Sequence, residues 1–234
     1  MNFLQFAVWG AYLTSMGNYL GNAGLGANIG VFYSIQGVVS IFMPALMGIV
    51  ADRWIPAQKL LGICHGIAGA LMVAAGWYGL TTDAVQFSTL FTLYSLSVAF
   101  YMPTLALSNS VAYNALDKAG LDTVKAFPPI RVFGTIGFIC SMWAVDLLGY
   151  QPTAAQYAVS GGLGLLLAVY SFTLPECPIS KNQGNKTILE ALGLNAFALF
   201  KEYRMAIFFI FSMLLGMMLQ ITNGYANPFI SSFG

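Results

Sequence analysis

Long, uninterrupted stretches of apolar residues dominate this sequence and restrict what it can fold into. Charged residues make up 7% of its 234 residues, whereas a soluble globular domain carries about 25%. So few charged side chains cannot cover the surface of a water-soluble protein of this size, and we expect that surface to face lipid. At about 20 residues for each membrane-spanning helix, the chain has room for seven spans and their connections.

The apolar stretches predict an all-α integral membrane protein. A segment in lipid must pair its own backbone N–H and C=O groups, and these stretches are too long and too continuously apolar for the strands of a barrel. The predicted spans are residues 3–20, 28–51, 60–80, 87–109, 130–148, 155–174 and 205–225.

The basic residues predict the orientation of these spans. All nine Lys and Arg lie at or near the junctions that follow the second, fourth and sixth spans. Because cytoplasmic loops carry the excess of positive charge, we expect a cytoplasmic N-terminus and a multi-pass protein. The nine are Arg53, Lys59, Lys118, Lys125, Arg131, Lys181, Lys186, Lys201 and Arg204.

Other residue types argue against several classes of function. The net charge of +1 gives no basic patch for nucleic acid. Cys64, Cys140, Cys177 and the single histidine, His65, are too scattered for a disulfide framework or a metal site. Ser160 lacks the preceding glycine of a membrane serine protease motif and a partner base. We therefore expect no metal, no cofactor and no catalytic residues: the chain is not an enzyme.

Polar side chains inside two of the spans predict the lining of a cavity. Tyr101 and Thr104 share one face of the fourth span, and Gln36 lies in a polar stripe on the second. Polar residues are costly in lipid and mark pathways. Ser, Thr and Gln also join helices through hydrogen bonds, so both interpretations stay open for these three residues.

The fifth span carries the most specific pattern. Pro128 and Pro129 suit the first turn of a new helix, and Arg131, Thr135 and Phe138 follow on one face at i, i+4 and i+7. A base or sugar ring could stack on the phenyl ring while the guanidinium and hydroxyl bond its oxygens. The alternative is that the arginine anchors the cytoplasmic end of the helix by snorkelling.

The seventh span offers two carboxamides on one face, Gln220 and Asn223. They suit a neutral polyhydroxy or heterocyclic ligand, although hydrogen bonding between helices is the alternative. Of the acidic residues only Asp146 falls within a span, near its outer end, so the chain has no carboxylate at mid-membrane for proton coupling.

Several segments resemble known transporters. The run GIVADR at residues 48–53, followed by Lys59, resembles the loop between helices two and three of the major facilitator superfamily. Five further segments are similar to the bacterial nucleoside:proton symporter family: FMPAL (42–46), YMPTL (101–105), FPPIRVFGTIGF (127–138), MAIFFIFSMLLG (205–216) and LQITN (219–223).

The resemblance implies a truncated twelve-helix transporter of the bacterial inner membrane. Residues 1–174 would form the N-terminal six-helix bundle, 175–204 the cytoplasmic loop between bundles, and 205–234 the first helix of an incomplete C-terminal bundle. The acidic residues for proton coupling would lie in later helices. The nucleoside contacts would fall on Arg131, Thr135, Phe138, Gln220 and Asn223. Asp52 and Arg53 either serve the cytoplasmic gate by pairing charges between helix ends or form a solvated turn.

The expected function is nucleoside uptake by alternating access, coupled to protons in the intact protein. The expected partners are the nucleoside, protons and the lipid bilayer, and no nucleic acid. Two alternatives remain open: a sugar or another neutral metabolite as the substrate on the same fold, and a seven-helix membrane protein that does not transport.

Overall fold

The computed structural model describes residues 1–179 and 199–233. Within these ranges the chain forms eight α-helices, a short 3-10 turn at Gly26–Asn28 and another at residues 199–201. The helices are α1 (Asn2–Gly10), α2 (Met16–Asn22), α3 (Ile29–Arg53), α4 (Ala57–Thr81), α5 (Phe87–Lys118), α6 (Thr123–Leu147), α7 (Ala155–Ser171) and α8 (Tyr203–Ser231).

Five segments of the described chain are long and apolar enough to cross a membrane: α3 with its preceding turn, α4, α5, α6 and α8. The first predicted span is divided, because a turn at residues 11–15 separates α1 from α2. The sixth predicted span corresponds to α7, which has 17 residues. The sequence therefore located the apolar segments, but it did not predict the break in the first one.

The start of α6 differs from the prediction. The two prolines were expected in the first turn, but the helix begins seven residues before Ile130, at Thr123, with Pro128 and Pro129 inside it. The Asp122 side chain accepts a hydrogen bond from Val124 N at 3.0 Å and caps this earlier start. The carbonyls that lose a proline donor belong to Val124 and Lys125, which are exposed, so water can satisfy them.

Glycines allow very close helix packing in the bundle. A Cβ atom on Gly69 of α4 would lie 2.8 Å from the carbonyl oxygen of Gly161 in α7, and one on Gly76 would lie 2.7 Å from Ala158 N. Small residues let two helix backbones approach this closely, and the resulting van der Waals contacts stabilise the association of helices in lipid. Beside this contact lies a buried aromatic core contributed by α2, α3, α5, α7 and the turn after α1: Tyr12, Tyr19, Phe32, Tyr94 and Tyr157.

Helix α8 packs on the bundle through α2 and α3. A Cβ atom on Gly17 of α2 would lie 2.7 Å from the carbonyl oxygen of Gly224 in α8, and Gly224 is the buried residue of that helix. Most other side chains of α8 are exposed. The helix is therefore held along one side, near the end that carries Gly224.

The segment after α7 is tied to the basic end of the bundle. Cys177 N donates to Gln58 Oε1 at 2.9 Å, Lys118 Nζ donates to the Glu176 carbonyl oxygen, and Lys59 lies 3.8 Å from the Glu176 carboxylate. Residues 180–198, the larger part of the predicted loop at 175–204, lie outside the described residues, and so do Lys181 and Lys186.

The burial of Cys177 predicts slow alkylation at neutral pH. Burial raises the pKa of this thiol above its ordinary value, so at pH 7 a smaller fraction is the reactive thiolate than in an exposed cysteine. We expect maleimide labelling of a variant with Cys64→Ser and Cys140→Ser to be slow at pH 7. The labelling rate should continue to rise with pH above the pH at which the rate for a free, fully ionised thiol becomes constant.

The same variant unfolded in detergent provides the control for this measurement. There the rate should follow that of a free thiol. Equal rates in the folded and unfolded protein at pH 7 would contradict a buried Cys177.

Candidate functional site

The two sides of α6 have different surroundings. On one side the buried residues Gly134, Gly137 and Ser141 pack on α1. A Cβ atom on Gly137 would overlap the backbone carbonyl of Phe3. On the adjoining side Arg131 and Thr135 line an open depression of about 450 Å³. The glycines fix the rotation of the helix about its axis, and this rotation turns the two polar side chains to the open side.

Arg131 is held by an aromatic ring of α1. Its Cζ atom lies 3.8 Å from the centroid of the Phe6 ring, a cation–π arrangement. Its side chain also crosses Gly134, since Nη1 lies 2.9 Å from the place that a Cβ atom would take there. Arg131 is therefore half-buried beside the depression. Its guanidinium is packed against protein groups, whereas an arginine that only snorkels extends its guanidinium into water.

Phe138 lies farther along the same helix. Its ring is half-buried and packs at the edge of the aromatic core that contains Tyr12 and Tyr94. It is not among the residues that line the depression of Arg131 and Thr135. The structure thus brings two of the three predicted residues of α6 to one depression and places the third beside the core.

Gln220 of α8 lines a second, larger groove of about 610 Å³ between α3, α5 and α8. Its Nε2 atom donates to the Tyr33 carbonyl oxygen at 3.3 Å. Gln36 and Trp9 line the same groove. Gln36 is buried and donates through Nε2 to Tyr94 OH at 2.6 Å. Gln36 therefore shares a groove with one of the predicted substrate residues.

Asn223 lines a third depression, of about 340 Å³, with α6 residues that include Trp143 and Asp146. Its backbone carbonyl accepts a hydrogen bond from Tyr33 OH at 3.2 Å, and this bond helps to hold α8 on α3. Four of the five predicted substrate residues therefore line three separate depressions, and the fifth, Phe138, packs beside the core.

Tyr101 and Thr104 face the interior of the bundle and not the large groove. Gln5 Nε2 donates to Thr104 Oγ1 at 2.7 Å, and Tyr101 OH donates to the Gln5 carbonyl oxygen at 2.8 Å. The Gln5 Oε1 atom lies 2.8 Å from His65 Nε2. Both residues are at most 2% exposed. Of the two interpretations left open by the sequence, the structure favours hydrogen bonding between helices α1, α4 and α5.

Asp52 and Arg53 lie exposed at the end of α3. Within residues 1–179 and 199–233 the ion pairs are Lys59–Glu176 and Lys125–Asp122, so neither of the two predicted gate residues has a charged partner there.

Sequence reasoning did not select Trp9 or Asp146 as site residues. Trp9 lines the large groove, but a tryptophan in an apolar span carries no signal of its own. Asp146 did carry a signal, because it is an acidic residue at the end of a span, and its helical spacing of eight residues from Phe138 places it near the same face.

Comparison with known proteins gives a consistent result. A family model described as nucleoside H+ symporter matches residues 1–234. The xanthosine permease of Escherichia coli (strain K12) is 46% identical over 236 residues, covering 100% of this chain and 55% of the permease. The nucleoside permease NupG of the same organism is also 46% identical, over 100% of this chain and 55% of NupG.

Solved structures share the fold. The crystal structure of the nucleoside transporter NupG (D323A mutant) superposes with a TM-score of 0.86 at 46% identity, over 99% of this chain and 57% of that one. A second NupG crystal structure gives a TM-score of 0.81. These matches confirm the resemblance and the helical transporter fold. The chain spans about half the length of the curated relatives it matches.

Proposed function

Because this chain belongs to the nucleoside H+ symporter family, we propose that it forms part of a transporter that carries nucleosides across the bacterial inner membrane together with protons. The 46% identity to a xanthosine permease and a nucleoside permease supports a nucleoside as the substrate. The charge pattern supports the orientation: the N-terminus and the basic ends of α3, α5 and α8 face the cytoplasm.

The nucleoside binds between α6 and α8. Arg131 and Thr135 donate hydrogen bonds to its oxygens, Phe138 stacks on a ring, and Gln220 and Asn223 supply uncharged donors and acceptors from the opposite side. The observation that carries this assignment is the asymmetry of α6. Its glycine side is packed on α1, and the adjoining face of Arg131 and Thr135 opens onto a depression, with the guanidinium held at its edge by Phe6.

Transport proceeds by alternating access. The unit of residues 1–174, in which α1 and α2 together make the first of six spans, rocks against the unit that begins with α8. The limited packing of α8 on α2 and α3 suits such a motion, since few side chains must separate. Residues 175–204 connect the two units in the cytoplasm, and the exposed Asp52 and Arg53 pair with groups of the second unit when the cytoplasmic side closes.

Replacing Gln220 by Ala tests the assignment on α8. We expect kcat/KM for uridine uptake by the intact protein to fall about 10-fold or more. The reason is that a carboxamide makes up to two hydrogen bonds to the substrate, each worth about 1 kcal/mol. The measurement is uptake of labelled uridine by cells that lack other nucleoside transporters, normalised to the amount of protein in the membrane.

Ser212→Ala provides the control on the same helix, because it also removes an exposed polar group and Ser212 does not line the groove. Unchanged uptake in Gln220→Ala would remove this residue from the site. Competition by unlabelled nucleosides but not by unlabelled sugars would separate the proposed substrate from a sugar.

A further inference from the structure

The polar faces of α6 and α8 continue beyond the proposed nucleoside site. On α6 the face of Arg131 and Phe138 reaches Asp146 in the last turn, and on α8 the face of Asn223 reaches Asn227 one turn later. At 1.5 Å per residue, Asp146 lies about 12 Å beyond Phe138 along the helix. This position is at the end opposite the basic residues, which is the outer end in the proposed orientation.

These extended faces meet at the depression of about 340 Å³, which both helices line. Its lining includes Trp143 and Asp146 from α6, Gln151 from the following turn, and Asn223 and Asn227 from α8. The Trp143 side chain is 63% exposed. An aromatic surface, a carboxylate and three carboxamides thus surround a space large enough for a sugar ring.

Hydrogen bonds hold part of this lining in place. Gln151 Nε2 donates to Asp146 Oδ1 at 2.6 Å, and Gln151 Oε1 accepts from Asn227 Nδ2 at 2.8 Å. The Gln151 carbonyl in turn accepts from Gln156 Nε2 at 3.0 Å, and the buried Ser15 donates to Gln156 Oε1 at 2.7 Å. The carboxylate and its neighbours are therefore fixed before any ligand arrives.

Two side chains in the depression keep hydrogen-bonding atoms free for a ligand. Among the described residues, Asp146 uses only Oδ1 in a hydrogen bond, and the Asn223 carboxamide uses none of its side-chain atoms. A carboxylate only accepts hydrogen bonds, whereas a carboxamide both donates and accepts. Adjacent hydroxyl groups match this pair, because each hydroxyl can donate to the carboxylate and accept from the amide.

We propose that the depression lined by Trp143, Asp146 and Asn223 is an outer subsite that binds the vicinal hydroxyls of the nucleoside ribose. The ring lies against Trp143, and the 2′ and 3′ hydroxyls donate to the Asp146 carboxylate. Asn223 belongs to both sites, so the ligand passes inward from this subsite to the place between α6 and α8. The inference rests on the proposed nucleoside transport.

The test compares uridine with 2′,3′-dideoxyuridine in the intact transporter and its Asp146→Asn variant. Asparagine keeps an oxygen that can accept from Gln151 but removes the negative charge. Hydrogen bonds to a charged group are about twice as strong as neutral ones. We expect KM for uridine uptake to rise about 10-fold with little change in kcat, and KM for the dideoxy compound to change less than about 2-fold.

Asp83→Asn is the matched control, since Asp83 is an exposed carboxylate at the same end of the molecule and does not line the depression. It should leave KM for both compounds unchanged. An equal rise of both KM values in Asp146→Asn, or no rise for uridine, would overturn the subsite. A wild-type protein that takes up neither compound would instead overturn the proposed function.

Discussion

Replacing Arg131 by Lys is expected to reduce kcat/KM for uridine uptake by about 100-fold, although the positive charge is kept. The guanidinium is a planar fork with five donors, and it lies 3.8 Å over the ring of Phe6. A lysine has neither the fork nor the flat face, so it loses paired hydrogen bonds to the substrate that together are worth about 3 kcal/mol. The measurement is initial uptake of labelled uridine over a range of concentrations.

This substitution separates the two roles that the sequence allows for Arg131. A residue that only anchors the cytoplasmic end of α6 would function equally well as lysine, because both side chains snorkel. Lys125→Ala is the control, since Lys125 is an exposed basic residue on the same helix, paired with Asp122 at 3.8 Å. Full activity of Arg131→Lys would show that the residue is an anchor and not a ligand contact.

The second large effect is expected from Gly137→Ala. A single Cβ atom there would overlap the Phe3 carbonyl, which is backbone and cannot rotate away. Helix α6 must then move away from α1, at a cost of about 3 kcal/mol, typical of overpacking. We expect the melting temperature of the purified protein to fall by about 10 °C, and uptake to fall because Arg131 and Thr135 move with the helix.

Gly162→Ala is the matched control, because the Cβ atom added at this position of α7 meets nothing within 4 Å. Its melting temperature should stay the same or rise slightly, since alanine restricts the unfolded chain. Equal melting temperatures of the two variants would contradict the close packing of α1 on α6.

Several features of the fold could be predicted because they depend on local sequence. The apolar segments set the helices, because a backbone in lipid has few alternatives. The start of α6 could not be predicted as well, because the side chain of Asp122 competes with the two prolines as the signal for a helix start. Residues 11–15, where the first predicted span breaks, contain neither proline nor glycine, so the sequence carries no turn signal within the break.

Within the candidate site, too, the sequence predicts which polar residues share a helix face but not which face is covered in the fold. Thr104 and Thr135 both lie on polar stripes with helical spacing, and this spacing alone cannot tell which stripe is covered in the fold. In the fold Thr104 accepts a hydrogen bond from Gln5 in the interior, whereas Thr135 lines an open depression with Arg131. The difference arises because α1 covers Thr104, whereas none of the described helices covers Thr135.

The sequence by itself determined that the chain enters lipid as helices, which family it resembles, and which residues share a helix face, because a period of 3.6 residues is a local property. The tertiary structure alone decided which of those faces is covered and which is open. Gly137 packs α6 against α1, and Gly17 packs α8 against α2, so the orientation of each polar stripe depends on contacts between residues that are far apart in the chain.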